Sequence, residues 1–408
     1  MPNVFLPSRR IFVGICIIAL FLGLFIRIKN LSSLHPIDLD ERSWLLLGTS
    51  LLSKGVPSSW TIYWNTYEHL EGLEYGGRTE TVVTPYLDHP PLFGLGMGLW
   101  ATLTDNNTSE PLNWATLRLP MIALALGTIV MTWLFLHRLF NPTFAALTAV
   151  AFAFFPSHII ASRFIAPEHA IAFLLVSSLY AFAVIDTPRG KTSHRTVAMA
   201  TIVTICSLAI FLKLSAIVIP ATLGLLALLR KNTTVFLGVA GATLISIFLF
   251  LAYGAYYDWG LFLEVLGGHT GRPQSFWHFW SIVTQMDLGY FSLRDPSIII
   301  GFVGLFTLLA NRSIPWRKRL YIFVPLLNFS VLFLFIAPVE SYGWYKYVLF
   351  PLLAIGLGYA ATQLVRGRVI YFILFLPLFA LLLEHAALPA TQGARKGVLL
   401  LAYALVVG

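Results

Sequence analysis

Charge is scarce in this chain: Asp, Glu, Lys and Arg make up 11% of its 408 residues, against 58% hydrophobic residues and a mean hydropathy of +0.79. A water-soluble domain of that length has no core large enough for so much apolar surface, so a soluble enzyme is excluded and lipid is the solvent. Cysteine is nearly absent. Cys16 and Cys206 both fall inside apolar runs, where they act as small hydrophobes rather than as a disulfide framework or a metal site. Internal repeats and low-complexity linkers are also missing, so a repeat-built transporter gains no support.

What the chain does have is a series of apolar runs near the length that a roughly 30 Å hydrocarbon core demands of a helix. Spans are expected at Ile11 to Ile28, Leu117 to Phe135, Thr143 to Ile159, Ala170 to Ile185, Val197 to Leu212, Ser215 to Leu229, Val235 to Tyr256, Ser297 to Leu309, Leu320 to Ala337, Tyr347 to Val365 and Val369 to Leu383. The expected fold is all-α: a polytopic integral membrane protein of about eleven spans, forming a single domain over residues 1–408. The stretch Val398 to Gly408 is too short to cross and reads as the start of a truncated helix. The first span follows Arg9 and Arg10, lacks a small-residue cleavage site and is closed by Arg27 and Lys29, the pattern of a retained anchor.

Placing the N-terminus in the cytoplasm puts Arg138, Arg189, Lys191, Arg195, Arg230, Lys231, Arg312, Arg317, Lys318, Arg319, Arg366 and Arg368 in short cytoplasmic loops. Of the 18 acidic residues, only Asp186 then falls on that side. The net charge of +9 is thus largely an orientation signal, and nucleic acid is not an expected partner.

Two outer segments remain, residues 29–116 and 257–296. The first holds Trp44, Trp60, Tyr63, Trp64, Tyr67, Tyr75 and Tyr86, which suggests interfacial helices with aromatic anchors. Its apolar stretch Leu92 to Leu103 is too short to cross and is expected to be re-entrant or interfacial. The second is rich in His, Trp and Phe, including His269, Phe276, Trp277, His278, Phe279 and Trp280, and is placed to cap a site.

Three motifs carry chemistry. Asp38-Leu39-Asp40-Glu41 sets three carboxylates at the membrane surface. Crowded acids raise each other's pKa or need a cation, so a general base, a metal ligand and a helix N-terminus favoured by the dipole all fit. Asp88-His89-Pro90-Pro91-Leu92 ends an extended stretch with paired prolines ahead of a helix. Ser162-Arg163 with Glu168 and His169 lies at the outer end of a span, where a snorkelling cation is the plainer account.

In order and spacing these residues resemble the GT-C superfamily of membrane glycosyltransferases, especially its protein O-mannosyltransferase and aminoarabinose transferase branch. The resemblance runs through Asp40-Glu41, Gly55, His89-Pro90-Pro91-Leu92, Arg118-Leu119-Pro120, Arg138-Leu139-Phe140, Ser162-Arg163, Glu168 and Leu212-Lys213. Beyond Tyr257 it thins to Arg272, His278 and Lys346-Tyr347. Glu168 and Trp44 stand where the family usually has Asp and Tyr. The resemblance implies a sugar donor linked to polyprenyl phosphate, used on the outer face, and an acceptor that is a protein, a lipid or a glycan. It implies Asp40 as base, with Glu41 orienting it or the acceptor. Arg118, Arg163, Lys213, Arg272 and Lys346 become candidates for the donor phosphate, and Asp88, His89, Glu168 and His278 further candidates for the site. No cofactor is firmly implied. The Asp38-x-Asp40 pair is similar to metal-binding acids in other branches, which keeps a divalent ion open. The competing expectation is a transporter or flippase of lipid-linked sugars, but the spans carry almost no mid-membrane charge for one.

Overall fold

The computed structural model describes residues 9–31, 39–61, 63–75, 78–106, 112–187, 192–270, 286–287, 290–291, 295–334 and 343–367. Helices dominate. In chain order they are α1 (Arg9–Ile28), α2 (Leu39–Lys54), α3 (Leu92–Leu103), α4 (Trp114–Leu139), α5 (Pro142–Ala153), α6 (Pro156–Ala161), α7 (Glu168–Asp186), α8 (Thr192–Leu212), α9 (Val218–Leu229), α10 (Thr233–Tyr257), α11 (Trp259–Thr270), α12 (Pro296–Ala310), α13 (Trp316–Leu334) and α14 (Phe350–Val365). Among the described residues, five segments are both long and apolar enough to cross a membrane: Trp114–Leu139, Glu168–Asp186, Thr192–Leu212, Thr233–Tyr257 and Trp344–Val365. Shorter apolar helices pack among them, and the chain is an integral membrane protein of the expected helical class. The expected span Val369 to Leu383 and the segment Val398 to Gly408 lie outside the described residues.

Helix boundaries follow local chemistry. Asn113, Asn141 and Asn232 each accept a hydrogen bond from the backbone N–H three residues on, at the starts of α4, α5 and α10. Asp295 is fully buried and caps two helices at once, accepting from Ser297 N–H at 2.8 Å for α12 and from Ser157 N–H at 2.7 Å for α6. The expected span Thr143 to Ile159 is broken at Phe154 and Phe155, because Pro156 cannot continue the ladder and opens α6 instead. Pro120 inside α4 cannot bond the Thr116 carbonyl. The Trp100 indole N–H donates to that carbonyl at 2.9 Å, which ties α3 to α4.

The first outer segment departs from the expectation of interfacial helices alone. Among the described residues α2 and α3 are its α-helices before α4 begins; between them lies a three-stranded antiparallel sheet in the order β1 (Ser59–Trp60), β3 (Arg78–Val83), β2 (Leu70–Tyr75), with Leu70 opposite Val83 and Tyr75 opposite Arg78. The β-branched run Thr81-Val82-Val83 suits a central strand. Serine hydroxyls join sheet to helix: Ser43 Oγ and Ser59 Oγ lie 2.7 Å apart, and Ser59 also donates to the Ser43 carbonyl. The helix α3 has the bounds read from its apolar run and docks on α2 so closely that a Cβ on Gly48 would overlap the Gly94 carbonyl. Only glycine allows that approach, and it fixes how α2 presents its first turn.

The two ends of the bundle differ in charge. At one end Arg230 binds Asp186, Tyr321 donates to Asp186 at 2.9 Å, Lys318 lies over the Phe140 ring and Arg195 donates to the Ile185 carbonyl. These are the loops in which the basic residues gather. The sheet, the first turn of α2 and the cavity described next lie at the other end.

Candidate functional site

A cleft of about 650 Å³ opens where α2, the Thr61 and Tyr86–His89 loops, the loop before α7, the start of the α8–α9 turn, α11 and the turn before α14 meet. Its wall is aromatic: Trp44, Trp60, Tyr63, Tyr86, Phe164, Trp344 and Tyr345. Set into it are the carboxylates Asp40, Asp88 and Glu168, the ammonium of Lys213 and the imidazoles of His89 and His269.

Each polar group is held by what lies behind it. Asp40 begins α2 and is half-buried at the cleft. The adjacent Glu41 points the other way. It is fully buried in a two-pronged ion pair, accepting from Arg118 Nε at 2.8 Å and Nη2 at 2.5 Å, and its Oε1 also accepts from the Ile165 N–H at 3.0 Å. Arg118 donates its remaining prong to the Leu31 carbonyl at 3.1 Å. One residue pair therefore ties α2 to α4, to the end of α1 and to the loop before α7.

Asp88 sits beneath the cleft floor with both carboxylate oxygens engaged, one by the Thr61 hydroxyl and one by the Tyr67 hydroxyl. Burial pushes its carboxyl up to about 6, against the downward pull of those two hydrogen bonds. His89 stacks on Trp44 with ring centroids 4.9 Å apart. Burial and then the Lys213 charge hold its imidazole well below the ordinary histidine range, and burial brings His269 down to about 4. Among the described residues of the cleft wall, Lys213 is the lysine or arginine that brings positive charge.

Lys213 follows α8 in extended backbone and donates to Glu168 Oε1 at 2.5 Å. Its ammonium lies 4.9 Å from the Tyr345 ring centroid and 5.9 Å from that of Trp44, a cation held over two π faces. Phe164 and Trp344 stack at 5.4 Å across the same wall.

The structure brings Asp40, Asp88, His89, Glu168 and Lys213 to one cleft. It gives other partners to several residues expected at the donor phosphate. Arg118 is 0% exposed in its pair with Glu41. Arg163 donates from Nε and Nη2 to the Arg27 and Ile26 carbonyls, neutralising the C-terminal end of α1. Lys346 is buried one residue past Tyr345 and is not part of the wall. Arg272, His278 and Asp38 lie outside the described residues. Among the described residues no three His, Cys, Asp or Glu side chains converge to hold a metal ion. The sequence pattern gives no site role to Ser43, Thr61, Phe164 or Trp344, and marks Trp44, Trp60, Tyr63 and Tyr86 as membrane anchors. Their density in one outer segment was the available signal.

The Asp88 environment has a testable consequence. With its folded value raised above the ordinary carboxylate value, the folded chain keeps a proton between about pH 4 and 6 that the unfolded chain has released. The stabilisation is complete below about pH 4 and is lost as pH rises to about 6, an effect of order 3 kcal/mol. Melting in detergent across pH 4–7 is expected to show the wild type losing ground to Asp88→Asn as pH rises. A difference that stays constant across that range contradicts the assignment.

Comparison with known proteins agrees with this architecture. Residues 90–252 match the family model of dolichyl-phosphate-mannose-protein mannosyltransferase. No curated protein matches the sequence significantly. The structure is similar to ArnT from Cupriavidus metallidurans in the apo state, at 20% identity and a TM-score of 0.61, over 93% of this chain and 65% of that one. It is also similar to the same ArnT bound to undecaprenyl phosphate, at 18% identity and a TM-score of 0.58, over 97% and 69% of the two chains. The archaeal oligosaccharyltransferase AglB from Archaeoglobus fulgidus, in complex with an inhibitory peptide and a dolichol-phosphate, matches at 14% identity and a TM-score of 0.54, over 97% and 54%. The chain thus spans about two thirds of the ArnT chain and about half of the AglB chain. Its fold is the one seen in ArnT and AglB.

Proposed function

We propose that this chain is a polyprenyl-phosphate-dependent glycosyltransferase acting on the outer face of its membrane, with inversion at the anomeric carbon. The observation that carries the reading is the pairing, in one aromatic cleft at the end of an apolar bundle, of a carboxylate, Asp40, with a cation, Lys213. The family match over residues 90–252 and the lipid-phosphate complexes of ArnT and AglB support it. The gathering of basic loops at the opposite end supports the outward orientation, with that end and the N-terminus in the cytoplasm.

In the reaction an acceptor hydroxyl attacks the anomeric carbon of the donor sugar. The bond from that carbon to the phosphate oxygen breaks, the hydroxyl proton passes to the Asp40 carboxylate, and polyprenyl phosphate departs as an anion. The leaving group needs no acid. It needs positive charge in a place with little water, and Lys213 supplies it from a position already stripped of solvent. The aromatic wall offers flat apolar faces to the C–H surfaces of a sugar.

The test is transfer of labelled sugar from undecaprenyl-phosphate mannose or glucose to endogenous acceptors, with the purified protein added back to membranes. Transfer that depends on the added protein is expected; none with either donor sinks the reading. Lys213→Met is expected to weaken donor binding about 10- to 100-fold, the weight of a charge-assisted hydrogen bond, measured by the donor concentration at half-maximal rate.

A further inference from the structure

Glu168 is 1% exposed, and its two oxygens are treated differently. Oε1 accepts from Lys213 at 2.5 Å, whereas Oε2 is buried with no hydrogen-bond partner among the described residues. Leaving a carboxylate oxygen dry and unsatisfied is costly, and native chains seldom do it without a reason. The helix dipole at the start of α7 accounts for an acid at this position but supplies no donor to the second oxygen.

Its setting points to the missing donor. Glu168 is part of the cleft wall, beside Phe164, Trp344, Tyr345 and Lys213. The terminal torsion of a glutamate is soft and roughly two-fold, so a small rotation turns Oε2 toward the open space while Oε1 keeps Lys213. The partner must therefore bring an O–H or N–H, must be small enough to sit among aromatic faces, and must lie next to the group that Lys213 attracts. A sugar hydroxyl adjacent to an anomeric phosphate has these properties. The ion pair would then address both halves of one ligand: Lys213 has N–H groups left for phosphate after serving Glu168, and Glu168 has an oxygen left for the sugar.

We infer that Glu168, through Oε2, accepts a hydrogen bond from a hydroxyl of the donor sugar and makes the cleft discriminate glycosylated from bare polyprenyl phosphate. This rests on the glycosyl-transfer reading and assigns Glu168 to specificity within it.

The test compares binding of undecaprenyl phosphate with that of undecaprenyl-phosphate mannose and undecaprenyl-phosphate glucose to the full chain in detergent, followed by tryptophan fluorescence. Glu168→Gln keeps the size of the side chain and its bond to Lys213 but replaces the free acceptor by an amide. It is expected to weaken whichever glycosylated lipid the wild type prefers by about 10-fold or more, and to leave bare undecaprenyl phosphate within about two-fold. Lys213→Met is expected to weaken all of the lipids. Equal losses for bare and glycosylated lipid in Glu168→Gln, or no loss, overturn the assignment. A wild type that binds none of these lipids overturns the glycosyl-transfer reading itself. Should Glu168→Gln fail to fold, Glu168→Asp keeps the charge while drawing the whole carboxylate back from the cleft by one methylene, and a larger loss for glycosylated than for bare lipid is required of it.

Discussion

Replacing Asp40 by asparagine is expected to lower sugar transfer by about 10²- to 10⁴-fold, the usual contribution of a positioned base, while donor binding stays close to wild type. The substitution keeps the shape of the side chain and removes its ability to take a proton. Binding should survive because Lys213 is held by Glu168 and by the Tyr345 and Trp44 rings, and His89 stacks on Trp44. The carboxylate is half-buried at the head of α2, and asparagine keeps its size there, so the fold should hold. The discriminating measurement is a pair: lipid binding by fluorescence and transfer rate on the same preparation. Loss of both together would make Asp40 a binding residue. Transfer that continues at more than about a tenth of the wild-type rate would leave the base unassigned, and Asp88 and Glu168 would become the acids to test.

That Asp40 stands at the cleft was legible in the sequence; how it is held there was not. The apolar runs gave the helices because burial in lipid imposes a length and composition that few other structures satisfy. The sheet between α2 and α3 was not legible. Leu70 to Tyr75 carries acids and glycine as well as apolar residues, and its pairing with Arg78 to Val83 depends on partners rather than on an alternating pattern. Basic residues divide in an instructive way. The positive-inside pattern describes an average over loops, so it located the basic end of the bundle but could not tell which of the remaining cations face a ligand and which face a carbonyl. Arg118, Arg163 and Lys213 look alike in the chain. In space the first grips Glu41, the second the end of α1, and only the third reaches the cleft. Those outcomes turn on contacts across as many as 137 residues, which no local pattern encodes.

The Glu41 and Arg118 pair is where the largest loss of stability is expected. Arg118→Met should destabilise the chain by about 3–5 kcal/mol, because the surviving carboxylate is then buried with no cation. Adding Glu41→Gln to Arg118→Met should recover most of that loss: the amide carries no charge, and its oxygen can still accept from the Ile165 N–H that Glu41 now serves. Thermal melting in detergent measures both variants. If the double variant melts as low as the single one, the cost lies in the lost Leu31 contact or in packing rather than in an unpaired charge. The same double variant separates two meanings of Glu41 in the reaction. As a strut behind Asp40, Glu41 can be neutral without much harm, and transfer should return with stability. As a group that orients the acceptor it must carry charge at the cleft, and transfer should stay low in a well-folded protein. The geometry favours the strut, since both carboxylate oxygens are taken up by Arg118, one of them also by Ile165, and the residue is fully buried. A chain that places its base one residue from a locked ion pair gains rigidity at the point where about 1 Å of misplacement can cost about 10²-fold in rate.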